Sequence, residues 1–171
     1  VDPGTGALIA RFWTHDWQAG RDLEIHIATG SPDGRSWREP APTGIAGQIC
    51  APLALGGGRI FAAYLHRHPM PSLSAVLSDD YGQSWTAASE LVFYEKRRGG
   101  QESGMGGDAA DGEAQRRDFA DYWADMSIWT FGHPAPALLP GGDVMVAFYA
   151  GDEPAMGIQW VRIALDTRGE S

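Results

Sequence analysis

Two aspartates and a set of histidines define what chemistry this chain can offer. Asp16 and Asp125 are the candidate catalytic pair, because hydrolysis of a glycosidic bond commonly takes two carboxyl groups facing each other across it. His133, Gln48, His15, His66 and Arg67 carry the hydrogen-bonding groups that a polar substrate needs, and Trp17 offers a flat ring for a sugar. His66-x-His68 can place two imidazoles on one strand face. Zinc needs a third and a fourth ligand, and no motif supplies them, so neither a metal nor a cofactor is expected. The single thiol, Cys50, excludes an intrachain disulfide and reads as a small buried residue beside Ala51 and Pro52.

These residues must be held by strands and turns. Ser78-Asp79-Asp80-Tyr81-Gly82-Gln83-Ser84-Trp85 follows the Ser-x-Asp-x-Gly-x-Ser-Trp pattern called the Asp-box. A shorter copy, Ser31-Pro32-Asp33-Gly34-Arg35-Ser36-Trp37, stands upstream, its Trp 48 positions before the second one (85 − 37). Every group in the motif suits a tight turn. The carboxylates of Asp33 and Asp80 accept backbone N–H bonds, the Ser31 and Ser78 hydroxyls tie the turn to itself, and Gly34 and Gly82 tolerate positive φ. Trp37 and Trp85 are then expected as equivalent wedges between successive sheets. A turn motif recurring at about the length of one four-stranded blade points to a β-propeller.

Period-two alternation divides the chain into three blade-like units, over 1–46, 47–96 and 127–171, within one partial propeller domain. The second and third units run in parallel: a small, Pro-containing strand (Cys50–Leu55; Pro134–Leu139), a Gly turn, then an apolar strand (Arg59–Leu65; Val144–Tyr149). Such small strands suit the crowded inner position. Between the units lies an insert, 97–126. Its first part, Arg97–Glu113, is Gly-rich and charged without apolar periodicity and reads as mobile, and Ala114–Met126 carries Phe119, Tyr122, Trp123 and Met126 at helical spacing. In this topology the Asp-boxes occupy one end of the blades, and the loops bearing His15, Asp16, Trp17, Gln48, His66, Arg67, Asp125 and His133 collect at the other.

Composition narrows the partners. Of 171 residues, 13 are Lys or Arg and 22 are Asp or Glu, a net charge of −9 that argues against a nucleic-acid partner. There is no apolar run long enough to cross a bilayer, so no membrane partner is expected. Gly 23 and Pro 11 suit a turn-rich all-β chain. Nothing in the residues assigns a compartment.

On the two Asp-boxes and the repeated inner strands, the chain resembles the sialidase superfamily of six-bladed, Asp-box (BNR) propellers. The resemblance covers most of the chain outside the insert. It implies an all-β fold of four-stranded antiparallel blades, about half of such a ring, with one short helix in the insert. It implies a sialidase-like hydrolase, an exo-glycosidase acting on a terminal sugar, or alternatively a noncatalytic carbohydrate-binding propeller. Its partners would be a glycan or small sugar, and the rest of the same propeller chain or a second copy completing the ring. Sialidases carry a Phe-Arg-Ile-Pro motif whose Arg grips the substrate carboxylate. The nearest match here is Phe131-Gly132-His133-Pro134, with Gly132 at the Arg position. No Tyr/Glu nucleophile pair is assignable from the sequence.

Overall fold

The computed structural model describes residues 5–67, 71–86, 89–96, 130–152 and 155–165. Alternating apolar residues build twelve strands: β1 (Leu8–Phe12), β2 (His15–Asp16), β3 (Arg21–Asp22), β4 (His26–Gly30), β5 (Ala41–Pro42), β6 (Cys50–Gly56), β7 (Arg59–His66), β8 (Ser72–Ser78), β9 (Leu91–Glu95), β10 (Phe131–Leu138), β11 (Val144–Asp152) and β12 (Ala155–Ile163). They form a first sheet β1-β4-β5, a middle sheet β6-β7-β8-β9, a third sheet β10-β11-β12 and a two-stranded ribbon β2-β3, and every pairing is antiparallel. The β6–β7 hairpin turns through Gly56, Gly57 and Gly58, all at positive φ, a conformation that side chains resist.

The sheets stack face to face with the middle sheet buried on both sides. Phe61, Ala63 and Ala75 meet Val144, Val146 and Ile163 of the third sheet, and Leu65 and Leu73 meet Phe131 and Phe148. On the opposite face Ala62, Tyr64 and Val76 pack against Ile25 and Ile45. Strand β7 is thus apolar from Ile60 to Leu65, as burial on both faces demands. Lys96 fastens the middle sheet to the third, reaching the Thr130 hydroxyl, the Gly151 carbonyl oxygen (3.1 Å) and Asp152 Oδ1 (3.3 Å).

The turns after β4 and β8 are built by their own side chains. Asp80 Oδ1 accepts from Ser84 N (2.8 Å) and Ser78 Oγ (2.8 Å), Oδ2 accepts from Ser84 Oγ (2.5 Å), and Ser78 Oγ accepts from Gly82 N (2.9 Å). The Ser84 hydroxyl and N–H hold the Asp80 carboxyl down to about 2. In the shorter turn Asp33 Oδ1 accepts from Ser31 Oγ (2.5 Å) and Arg35 N (3.1 Å). The indoles close each turn, Trp37 Nε1 donating to Gly34 O (3.0 Å) and Trp85 Nε1 to Gly82 O (3.2 Å).

This architecture corrects the expectation of half a six-bladed propeller. The described residues are all-β, but among them the four sheets are small and open, none closes or curls into a ring, and only one has four strands. There is no α-helix among the described residues; the helix expected over 114–126, with Asp125, lies outside them, as does His68. The physical reason is the reach of the motif. The side-chain bonds that build each turn stay within residues 31–37 or 78–85. Such a motif specifies a turn after a strand and carries no information on how many sheets follow or whether they close. Nor are the two indoles equivalent in surroundings. Trp85 lies between the first and middle sheets beneath Arg11, whereas Trp37 is half-exposed on the outer face of the first sheet.

Candidate ligand-binding site

The ribbon β2-β3 folds back over the strand ends and brings three donors to one carboxylate. His15 pairs with Asp22 and Asp16 with Arg21 across the ribbon. Asp22 Oδ1 accepts from Trp13 Nε1 (3.0 Å) and from His15 Nδ1 (2.9 Å), and Oδ2 accepts from Gln48 Nε2 (2.7 Å). Gln48 immediately precedes the middle sheet, where its N–H donates to Leu65 O (2.9 Å). A single carboxylate therefore ties the ribbon to the middle sheet. Burial of Asp22 opposes its ionisation, but the hydrogen bonds from Gln48, His15 and Trp13 outweigh that and leave its carboxyl below the usual range. Asp22 is ionised at neutral pH and acts as an anchor for the side chains around it.

Gln48 is the residue this anchor presents. It is 6% exposed. An ionised carboxylate accepts hydrogen bonds only, so Asp22 fixes which end of the carboxamide faces it. The amide nitrogen turns to Asp22, and Oε1 turns away. That oxygen is buried and has no hydrogen-bond partner among the described residues. Trp17 lies beside the cluster, its ring edge-on to His15 at 4.7 Å between centroids, and is largely exposed.

The other candidates fall in different surroundings. Asp16 Oδ1 accepts from Gln18 N (2.9 Å) and Ala19 N (3.0 Å), and the Ala19 N–H is the main cause of its lowered pKa. It is a turn cap at the surface and holds no proton to give at neutral pH. His66 stacks edge-on to Tyr64 (5.1 Å), with Glu90 Oε1 3.9 Å from its Nε2. Burial, opposed by Glu90, lowers its pKa and keeps it neutral. Arg67 is buried at the end of β7. His133 is exposed at a bulge in β10 with φ 47°, its ring tilted over Tyr149 at 5.7 Å. Gly132 has a local reason to be glycine: its φ is +152°, and an added Cβ would lie 3.0 Å from Tyr149 Oη.

Sequence reasoning missed Trp13 and Asp22, and it read 14–17 as a plain loop. The available signal was His15-Asp16 and Arg21-Asp22 flanking a short turn, two polar pairs that can cross a ribbon. It also found no Tyr/Glu pair, and the structure contains one: Tyr64 Oη donates to Glu90 Oε1 at 2.7 Å. Burial, with Glu90 adding to it, pushes the Tyr64 phenol well above its ordinary value, so it stays protonated and is no nucleophile.

Among the described residues no three His, Cys, Asp or Glu side chains converge as a metal site would require. Compared with known protein families, with curated proteins and with solved structures, the chain matches none. The sialidase-like reading is therefore corrected as a whole. Among the described residues no sheet closes into a ring, Asp16 is a turn cap, the buried phenol is inert, and no relative supports an exo-glycosidase or a carbohydrate-binding Asp-box propeller.

Proposed function

We propose that the chain is a binding module, and not a catalyst, that holds a small uncharged ligand through a hydroxyl or N–H group donated to Gln48. One observation carries this reading: the buried Gln48 Oε1, aimed away from Asp22 by the Asp22–Gln48 bond, has no partner among the described residues. A buried acceptor left unsatisfied costs about 1–3 kcal/mol, which a ligand donor recovers on binding. The ionised Asp22 and the net charge of −9 disfavour an anion. The exposed Trp17 ring offers a stacking face. A small neutral ligand that carries a hydroxyl or N–H donor on a flat apolar frame unites these features.

Titration calorimetry of this chain against small neutral compounds that join a hydroxyl or N–H donor to a flat apolar ring (benzyl alcohol, benzamide, nicotinamide) tests the proposal. Binding of at least one of them is expected, with a change in tryptophan fluorescence. Gln48→Leu should weaken it at least tenfold while the far-UV circular dichroism is unchanged. Absence of binding to the native chain at 50 mM ligand (roughly the weakest affinity that one recovered hydrogen bond and one stacked ring would give), or equal binding by Gln48→Leu, would overturn it.

A further inference from the structure

The three stacked sheets repeat one packing scheme, and the scheme has a direction. Toward the third sheet, the middle sheet presents Phe61, Ala63 and Leu65 from β7 and Leu73 and Ala75 from β8, paired as Leu65↔Leu73 and Ala63↔Ala75. The third sheet repeats this register on its far side, with Met145, Ala147 and Tyr149 of β11 and the pairs Tyr149↔Ile158 and Ala147↔Trp160. In the middle sheet these positions are covered: Leu73 is 0% exposed and Phe61 2%. In the third sheet the β11 members are half-buried and the β12 members bare: Ile158 is 78% exposed and Trp160 66%, with Met156 beside them.

The opposite end of the stack is bare in the complementary sense. On the middle sheet's near face, Trp85 is covered by the first sheet. The Arg11 guanidinium lies 4.0 Å above its ring, and Ile27 reaches Gly82 at the same turn. The first sheet carries the same device on its outer face. Arg38 N bonds Thr29 O (2.9 Å) as Thr86 N bonds Leu77 O (3.2 Å), which makes Trp37 the counterpart of Trp85. Trp37 lies flat over Gly30, where an added Cβ would meet its ring at 2.8 Å, and Phe12 continues the face; both rings are half-exposed.

We infer that the outer face of the first sheet docks on the outer face of the third sheet of a second copy of this chain. The two bare faces correspond to the two partners already packed inside each molecule, so the chain itself shows how they fit. The contact joins different surfaces on the two copies and is therefore heterologous. An apolar patch of this kind on a single molecule otherwise stands open to water. Gln48 takes no part, so the contact stands or falls independently of the ligand-binding reading.

Sedimentation velocity of the intact chain between about 1 and 100 μM, the range in which contacts of modest area associate, is the test. Species of two or more copies are expected. Trp160→Glu, and separately Trp37→Lys, should each weaken association at least tenfold with unchanged circular dichroism; Ile158→Glu and Ala10→Glu replace either variant that unfolds. An equimolar mixture of the two variants should associate again, because each supplies the face the other lacks. A monomeric native chain at the highest concentration would overturn the proposal and leave the faces to a different partner. Undiminished self-association of Trp37→Lys would also overturn it, since that is the behaviour of third sheets pairing with each other.

Discussion

Replacing Asp22 by Asn should reverse the polarity of the binding group while barely changing its shape. The carboxylate accepts from Trp13 and His15 on one oxygen and from Gln48 on the other. An asparagine that keeps its oxygen toward Trp13 and His15 turns its NH2 toward the NH2 of Gln48. Two donors cannot face each other, so the Gln48 carboxamide rotates and offers Oε1 to the introduced amide. Its Nε2 then occupies the position held by Oε1 in the native chain, and an acceptor has become a donor. Three bonds to a charged acceptor become three neutral ones, two accepted by the asparagine oxygen and one donated by its nitrogen. At roughly 0.5–1 kcal/mol lost for each, stability should fall by about 1.5–3 kcal/mol. Urea unfolding at several pH values measures it. Asp22 titrates below its ordinary value in the folded chain, so its contribution is complete above the unfolded carboxyl value near 4 and is lost as pH falls through the folded one. The gap between native and Asp22→Asn should therefore be full at pH 7 and shrink steadily below about pH 4. A gap that is flat from pH 7 to pH 2, or native-like ligand binding by Asp22→Asn at pH 7, would refute the reasoning.

Two further substitutions probe the packing that carries the site. The Arg11 guanidinium is buried between the first and middle sheets, and its Nε, Nη1 and Nη2 have no hydrogen-bond partner among the described residues. Desolvation lowers its pKa. Stacking on Trp85 contributes about 0.5–2 kcal/mol, less than the several kcal/mol that desolvating a cation costs. Arg11→Met should then raise stability by about 1–3 kcal/mol in urea melts, and a loss above about 1 kcal/mol would show that stacking dominates. Gly82 and Gly57 both have positive φ, +81° and +60°, but an added Cβ meets Ile27 Cδ1 at 2.7 Å and Trp85 Cζ2 at 3.2 Å at Gly82, and nothing within 4 Å at Gly57. Alanine should cost about 1–2 kcal/mol at Gly57 from backbone strain and about 1–3 kcal/mol more at Gly82 from overpacking between sheets; equal losses would contradict the packing described at the turn.

Strands were readable where side-chain alternation meets burial. Ile60–Leu65 is apolar throughout because both of its faces are covered, Val144–Tyr149 buries every second residue against the middle sheet, and the glycine turn before Arg59 is visible in the residues themselves. The two Ser-Asp turns were readable because all their bonds are local. What lay beyond the sequence was non-local. Sheet number and closure depend on faces that meet across long separations, and a turn motif has no part in them. The ribbon escaped notice because each of its strands is two residues long, too short for a period to show. The anchor at Asp22 depends on a contact 26 positions away in Gln48. Gln48 stood among the candidate contacts from its loop position alone; its bond to Asp22, which turns the amide oxygen away from the carboxylate, is visible only in three dimensions.

The middle sheet is one uninterrupted up-and-down meander, Cys50 to Glu95, in which each strand bonds its sequence neighbour. Its pairings, like those of the third sheet, close short loops, but it is the sheet buried on both faces, which makes it the layer on which the others can condense. The flanking sheets then condense on a slab already assembled. In the native state the same order runs backwards: amide protons of β7 and β8, shielded above and below, exchange only when the entire molecule opens, while β5 and β12 at the periphery fray and exchange without it.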